Sequence, residues 1–223
     1  MAAAGLVAMT FDFTGFGESE GAPRDLESAR RKVEDLDNAV AFAHGHPAVD
    51  GGRVGSVAIC ASAGYMAMAS LGATQLGSLV MVAPWLHDAR LVEQLYGGQK
   101  AVRERIEKSL AARADFARSG EVRYVKAASN TDESAAMYAP GDAFAYYLDS
   151  KRGAVPQWSN RFAVMAWKEW LELDAVAIAP QVTVPVRIIT SEGSATPDGA
   201  KRFEAGLRGK HDSVWVEGTQ FHF

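Results

Sequence analysis

The decapeptide SVAICASAGY, residues 56–65, constrains the fold of this 223-residue chain more than any other stretch. Its first half is apolar and suited to a buried strand. Its second half is a run of small residues that continues as a helix. A strand that turns at once into a helix needs small residues on both sides of the turn, because the two backbones approach closely there. The side chain at the turn is lifted out of the sheet. The next backbone N–H and the helix N-terminus then face whatever that side chain attacks. Two nucleophilic side chains compete for the place. With Cys60 at the turn, the flanking small residues are Ala58 and Ser62. With Ser62 there, they are Cys60 and Gly64. Size favours the second register, whereas the count from Arg53 at the strand start favours the first and leaves Ser62 inside the helix. We place Cys60 ahead of Ser62. The plain alternative is a buried core thiol, the usual state of a free cysteine.

Other apolar runs set the architecture. GLVAMTFDF (5–13), the run at 53–59, SLVMVAP (78–84), VPVRIITSEG (184–193) and DSVWVEGTQF (212–221) each predict a strand. Between the first two, Leu26, Ala29, Val33, Leu36, Val40 and Ala43 recur at helical spacing, with Pro23 and Asp25 at the start. Helices are also predicted over 64–73, 99–120, 160–173 and near 197–207. Strand and helix in alternation argue for an α/β fold with a mostly parallel sheet and right-handed crossovers. That rhythm breaks between Trp85 and Ala179, where helical pattern and aromatics dominate. The expected layout is an α/β core of 1–84 and 180–223 with a helical insertion over 85–179.

Composition excludes several functions. The net charge of −4, without a basic run, argues against a nucleic-acid partner. One cysteine excludes an internal disulfide framework and a Cys-based zinc site, and fits a reducing, cytoplasmic setting. His44, His46, His87 and His211 lack ligand spacing, so no metal is expected. MAAAGLVAM lacks the charged start of a signal peptide, and no apolar run reaches the roughly 18 residues of a membrane span. In GFGESEG the third glycine, Gly21, falls one position too late for a dinucleotide loop. No cofactor is expected.

FDFTGFGESEG (11–21), with Thr14 where arginine is usual, resembles the strand end of α/β hydrolases. GRVGSVAICASAGY (52–65) resembles their nucleophile strand and elbow, in a bacterial dienelactone-hydrolase-like and peptidase-like branch with a G-I-C-x-S-G-G-Y elbow. APWLHDARLVEQLYGG and EGTQF extend the likeness over nearly the whole chain. The resemblance implies an α/β-hydrolase sheet with Cys60 as nucleophile, Ala61 N–H as one oxyanion donor and a helical lid over 85–179. It implies an acid after the strand near 186–190, where Gly193 aligns with the usual aspartate and Glu192 or Asp198 is the substitute. It places the histidine at Gln220, with His222 two residues on. It also implies earlier strands and a final helix for which this chain has no counterpart, so the chain is expected to be truncated at both ends. Trp85, Tyr138, Trp158 and Trp167 are expected to line an apolar acyl site. The expected activity is hydrolysis of an ester, thioester or similar small acyl substrate, without membrane or nucleic acid. The alternative is an inactive homologue that binds a ligand or partner. An exposed sheet edge would favour a homo-oligomer.

Overall fold

The computed structural model describes residues 2–221. Its elements in chain order are α1 (Ala29–Gly45), β1 (Gly55–Ile59), α2 (Ser62–Ala69), β2 (Ser78–Val82), α3 (Ala89–Leu95) and α4 (Gly98–Ser119), then β3 (Tyr124–Lys126), β4 (Ala128–Ser129), β5 (Met137–Tyr138), α5 (Ala145–Leu148), β6 (Arg161–Ala163), α6 (Trp167–Glu172), β7 (Val186–Thr190), α7 (Pro197–Gly206) and β8 (His211–Trp215). They form two compact units. Among the described residues the first holds 2–11, Ala29–Leu95 and 173–221; the second holds Asp12–Ser28 and Tyr96–Glu172.

The first unit is built on a parallel sheet in the order β1-β2-β7-β8. The register sets Ala58, Met81 and Ile188 side by side, and Ile59, Val82, Ile189 and Val214 in the next row. Because side chains alternate across a strand, these rows lie on opposite faces. Ala58, Leu79, Met81, Val186 and Ile188 are buried. α2 packs on β1 and β2, and α7 on β7. Tyr65, Met66 and Phe203 are the large side chains of that helix layer buried to 2% exposure or less. The other face is more open, with Val57, Ile59 and Val214 at 47, 59 and 43% exposure.

The apolar run at 5–13 forms no strand. Leu6, Val7, Met9 and Phe11 stay 43–62% exposed. A strand is held by its ladder partner, and among the described residues β1 pairs with β2 alone. Local pattern makes a segment strand-like but does not supply a partner. From Asp12 the chain winds into a tight loop. Glu18 N–H donates to the Asp12 carboxylate at 2.9 Å, and the Ser19 hydroxyl donates to the Asp12 carbonyl at 2.7 Å. Gly17 is required there. Its φ is +47°, and a Cβ would stand 2.1 Å from an Asp12 carboxylate oxygen.

α1 starts at Ala29, later than its apolar spacing suggested. Asp25 takes a φ of +54°, outside the helical region. Its carboxylate, 4% exposed, accepts from Ser159 Oγ at 2.6 Å and from Arg161 Nε at 2.9 Å and Nη2 at 2.7 Å. Leu26 packs against the Ala112–Ala163–Met165 cluster of the second unit instead of the helix face.

In that second unit α4 and α6 pack together. The Ser109 hydroxyl, fully buried, donates to Met165 O at 2.7 Å. The helix expected over 160–173 begins as strand β6, continues as a 3-10 turn and becomes α-helical only at Trp167. The side chain of Asn160 explains this. It accepts from Ala128 N–H at 2.8 Å and donates to Ala128 O at 3.1 Å, holding Asn160 at a left-handed φ of +48° that does not start a right-handed helix. β6 then runs antiparallel to β3.

Candidate functional site

The turn after β1 falls on Cys60, and Ser62 is the first residue of α2. Cys60 has a φ of +58°, the left-handed region that side chains other than glycine rarely adopt. Such a residue costs about 1–2 kcal/mol and persists only where its surroundings hold it. Three backbone bonds do so. Cys60 N–H donates to Val82 O at 3.1 Å, while Cys60 O accepts from Trp85 N–H at 2.9 Å and Ala63 N–H at 3.1 Å. The matching turn after β2 carries a second left-handed residue, Ala83, at φ +44°. Ala83 N–H donates to Ile189 O at 2.8 Å. Two neighbouring strands therefore end in strained turns that brace one another.

The small residues of the decapeptide have a packing reason. Ala63 is fully buried, and a Cβ on Gly64 would stand 3.1 Å from the Ala175 methyl. α2 can sit this low only with small residues in its first turn. Cys60 itself is partly exposed. Ala61, the residue after the turn, caps α2, so its N–H lies at that helix's N-terminal end.

The loops after β7 and β8 are built differently. Gly193 bridges to Thr219, and the Gly218 carbonyl oxygen lies 2.4 Å from where a Gly193 Cβ would be. No side chain fits at 193 with this backbone. Gln220 uses both ends of its amide: Oε1 accepts from Ala195 N–H at 2.8 Å and Nε2 donates to Ala83 O at 2.8 Å. Around them lies a buried hydroxyl network. Thr190 Oγ1 donates to Ser194 Oγ at 3.0 Å, and the Ser191 hydroxyl donates to Gly218 O at 2.8 Å. Thr196, 1% exposed, donates to Pro84 O at 3.1 Å and accepts from Leu86 N–H at 3.0 Å.

The other candidates scatter. The Glu192 carboxylate is 2.8 Å from the Lys201 ammonium, which lies 5.1 Å from the Trp215 ring centre. Asp198 is exposed in the first turn of α7. His222 lies outside the described residues. Trp85 turns its indole N–H onto His87 Nδ1 at 2.8 Å. Tyr138 is 39% exposed in β5, and Trp158 packs on Tyr147 at 5.2 Å. Trp167 is 3% exposed and packs against Phe162 and Tyr96.

Thr196 carried no signal as a site residue in the sequence, His87 entered only as one of the scattered histidines, and Gln220 only as the residue standing where the resemblance places the histidine. His87 is 1% exposed. Asp88, one residue on, is ion-paired with Arg202. The hydrogen bond from Arg202 pulls the Asp88 carboxyl down to about 2, against the opposing effect of burial.

No family model matches the sequence. The uncharacterized protein YcjY of Escherichia coli K12 is 37% identical over 71 residues, which is 32% of this chain and 23% of that protein. The matched segment is thus less than a quarter of that relative's length. Among solved structures, DcsB, determined in complex with its substrate analogue, superposes with a TM-score of 0.77 at 20% identity, covering 93% of this chain and 70% of the other. The α/β hydrolase GrgF from a Penicillium species gives 0.73 at 21%, with 93% and 70% covered. The hypothetical protein PA2218 from Pseudomonas aeruginosa gives 0.75 at 19%, with 92% and 66% covered. The chain shares the α/β fold of these proteins: a mostly parallel central sheet with surrounding helices. Among the described residues no helix is long and apolar enough to cross a membrane.

Proposed function

We propose that this protein is an α/β-hydrolase-like acyl hydrolase whose nucleophile is the Cys60 thiol. The observation that carries the reading is the left-handed Cys60 between β1 and α2. Strain at a non-glycine residue marks a position held for a purpose, and a strand-to-helix turn is where an attacking atom stands clear of the sheet. The Cys60 thiolate attacks the carbonyl carbon of an ester or thioester, forming the C–S bond. The oxyanion is held by Ala61 N–H at the start of α2. Collapse expels the alcohol or thiol, which takes up a proton. Water then cleaves the Cys60 thioester, releasing the acid and restoring the thiol. His222 is the proposed proton carrier, with Glu192 or Asp198 its acid partner. Trp85, Tyr138, Trp158 and Trp167 are the proposed apolar contacts, with Ser62 the competing nucleophile and 85–179 the proposed lid.

A second reading has an observation of its own. The positions where the resemblance places acid and histidine are Gly193, which admits no side chain, and Gln220, whose amide is engaged at both ends. That favours a protein that keeps the elbow but binds its ligand without turning it over. Hydrolysis of a short-chain nitrophenyl ester separates the two. Turnover that vanishes in Cys60→Ala supports the enzyme. Turnover that survives in Cys60→Ala but is lost in Ser62→Ala moves the nucleophile. No turnover in the parent protein supports the binding reading.

A further inference from the structure

We propose that Gln220 is a positioning residue for the elbow, acting through Ala83; the role presumes that Cys60 is the reacting group. Ala83 is the second left-handed alanine-or-larger residue of the site, at φ +44° and 3% exposed. The peptide units around it hold both ends of the Cys60 residue. Val82 O receives Cys60 N–H, and Trp85 N–H donates to Cys60 O. A turn in a sparsely populated conformation relaxes unless something outside it fixes it. Ala83 N–H is fixed from β7 through Ile189 O. Ala83 O is fixed by Gln220 Nε2, 137 residues away in sequence.

The other end of the same amide is anchored as well. Gln220 Oε1 accepts Ala195 N–H, which keeps the Nε2 donor aimed at Ala83. One residue on, Thr196 reaches Pro84 O and Leu86 N. The 191–196 loop thus grips the segment after β2 at Ala83 through Gln220 and at Pro84 and Leu86 directly. A glutamine fits because the job needs a donor and an acceptor on one planar group. Glutamate keeps an acceptor for Ala195 but sets an anionic oxygen against the Ala83 carbonyl.

Amide hydrogen exchange on the full chain tests this, with Gln220→Ala and Gln220→Glu as the variants. If Gln220 clamps the turn, exchange of Cys60 and Trp85 N–H quickens about tenfold in both variants, the loss of one hydrogen bond, while the β2 and β7 ladder amides keep their rates. The rate of Cys60 alkylation by iodoacetamide changes in parallel. In Gln220→Glu that change shrinks at low pH, where the protonated carboxyl donates again. Unchanged exchange at Cys60 and Trp85 in either folded variant overturns the proposal. So does equal acceleration at every sheet amide, the mark of a global stability loss. These amides report on the clamp whether or not the protein hydrolyses esters, so an inactive parent protein sinks the hydrolase reading and the catalytic purpose of the clamp, while unchanged exchange at Cys60 and Trp85 sinks the clamp itself.

Discussion

The elbow after β1 and the corner formed by the loops after β7 and β8 sit on the same sheet and solve opposite problems. The elbow holds a partly exposed thiol in a conformation that costs free energy. The corner commits its polar groups to itself and to the segment after β2. Gly193 lies against the Gly218 carbonyl, Gln220 spans two loops, and Thr190, Ser191, Ser194 and Thr196 are 8% exposed or less and bonded to neighbours. A strained, accessible group is a site under tension; a saturated, buried network is a brace. The contrast teaches that the elbow is held from outside, and that the corner's role is to hold it.

The contrast can be broken most forcefully at Gly193. Gly193→Asp puts an acid where the resemblance calls for one and forces its Cβ into the Gly218 carbonyl. The expected result is a loss of about 2–4 kcal/mol in denaturant melts, or failure to fold. A variant of parent stability would show that the corner is loose. Next comes Thr196→Val, which strands Leu86 N–H and the Pro84 carbonyl in a buried place. Chemical denaturation should show a loss of about 1–3 kcal/mol.

A third tie joins the same segment to α7, the ion pair of Asp88 with Arg202. Because the folded-state value of Asp88 is lowered to about 2 from an ordinary 3.8, its stabilisation is complete above about pH 4. It drains away as pH falls toward 2. Arg202 is 34% exposed, so solvent screening trims the effect to about 1 kcal/mol. Arg202→Met should therefore lower stability at pH 6 while leaving it nearly unchanged at pH 2, measured by urea titration at both. A loss of equal size at both pH values would remove Asp88 from the brace. The smallest effect sharpens the other side of the comparison. Glycine adopts φ +58° without penalty, so Cys60→Gly should be more stable than Cys60→Ala by about 1 kcal/mol. Equal stabilities would mean that the elbow carries no strain.

These differences explain what the sequence revealed. The elbow was legible because its cause is local. An apolar strand, a turn residue and a small-residue helix start lie within ten positions, and close packing of Ala63 and Gly64 demands that pattern. The parallel sheet was legible for the same reason. The corner was not. Gln220 binds Ala83 from 137 residues away and Thr196 binds Pro84 from 112 away, so neither has a local signature. The run at 5–13 shows the limit from the other side: its apolar pattern is strand-like, yet pairing depends on a neighbour that pattern alone cannot supply. At Asn160 a side chain bonded at both ends to Ala128 fixes a left-handed residue where the pattern called for the start of a helix.

The central claim is that the turn was built to present the Cys60 sulfur. It is tested most directly by exposing the folded protein to p-nitrophenyl acetate, quenching in acid and locating any acetyl group by peptide mass spectrometry. The expected result is an acetyl adduct on Cys60, formed together with a burst of nitrophenol and absent in Cys60→Ala. An acetyl group on Ser62, or a Cys60 that stays unmodified while exposed lysines react, would contradict it.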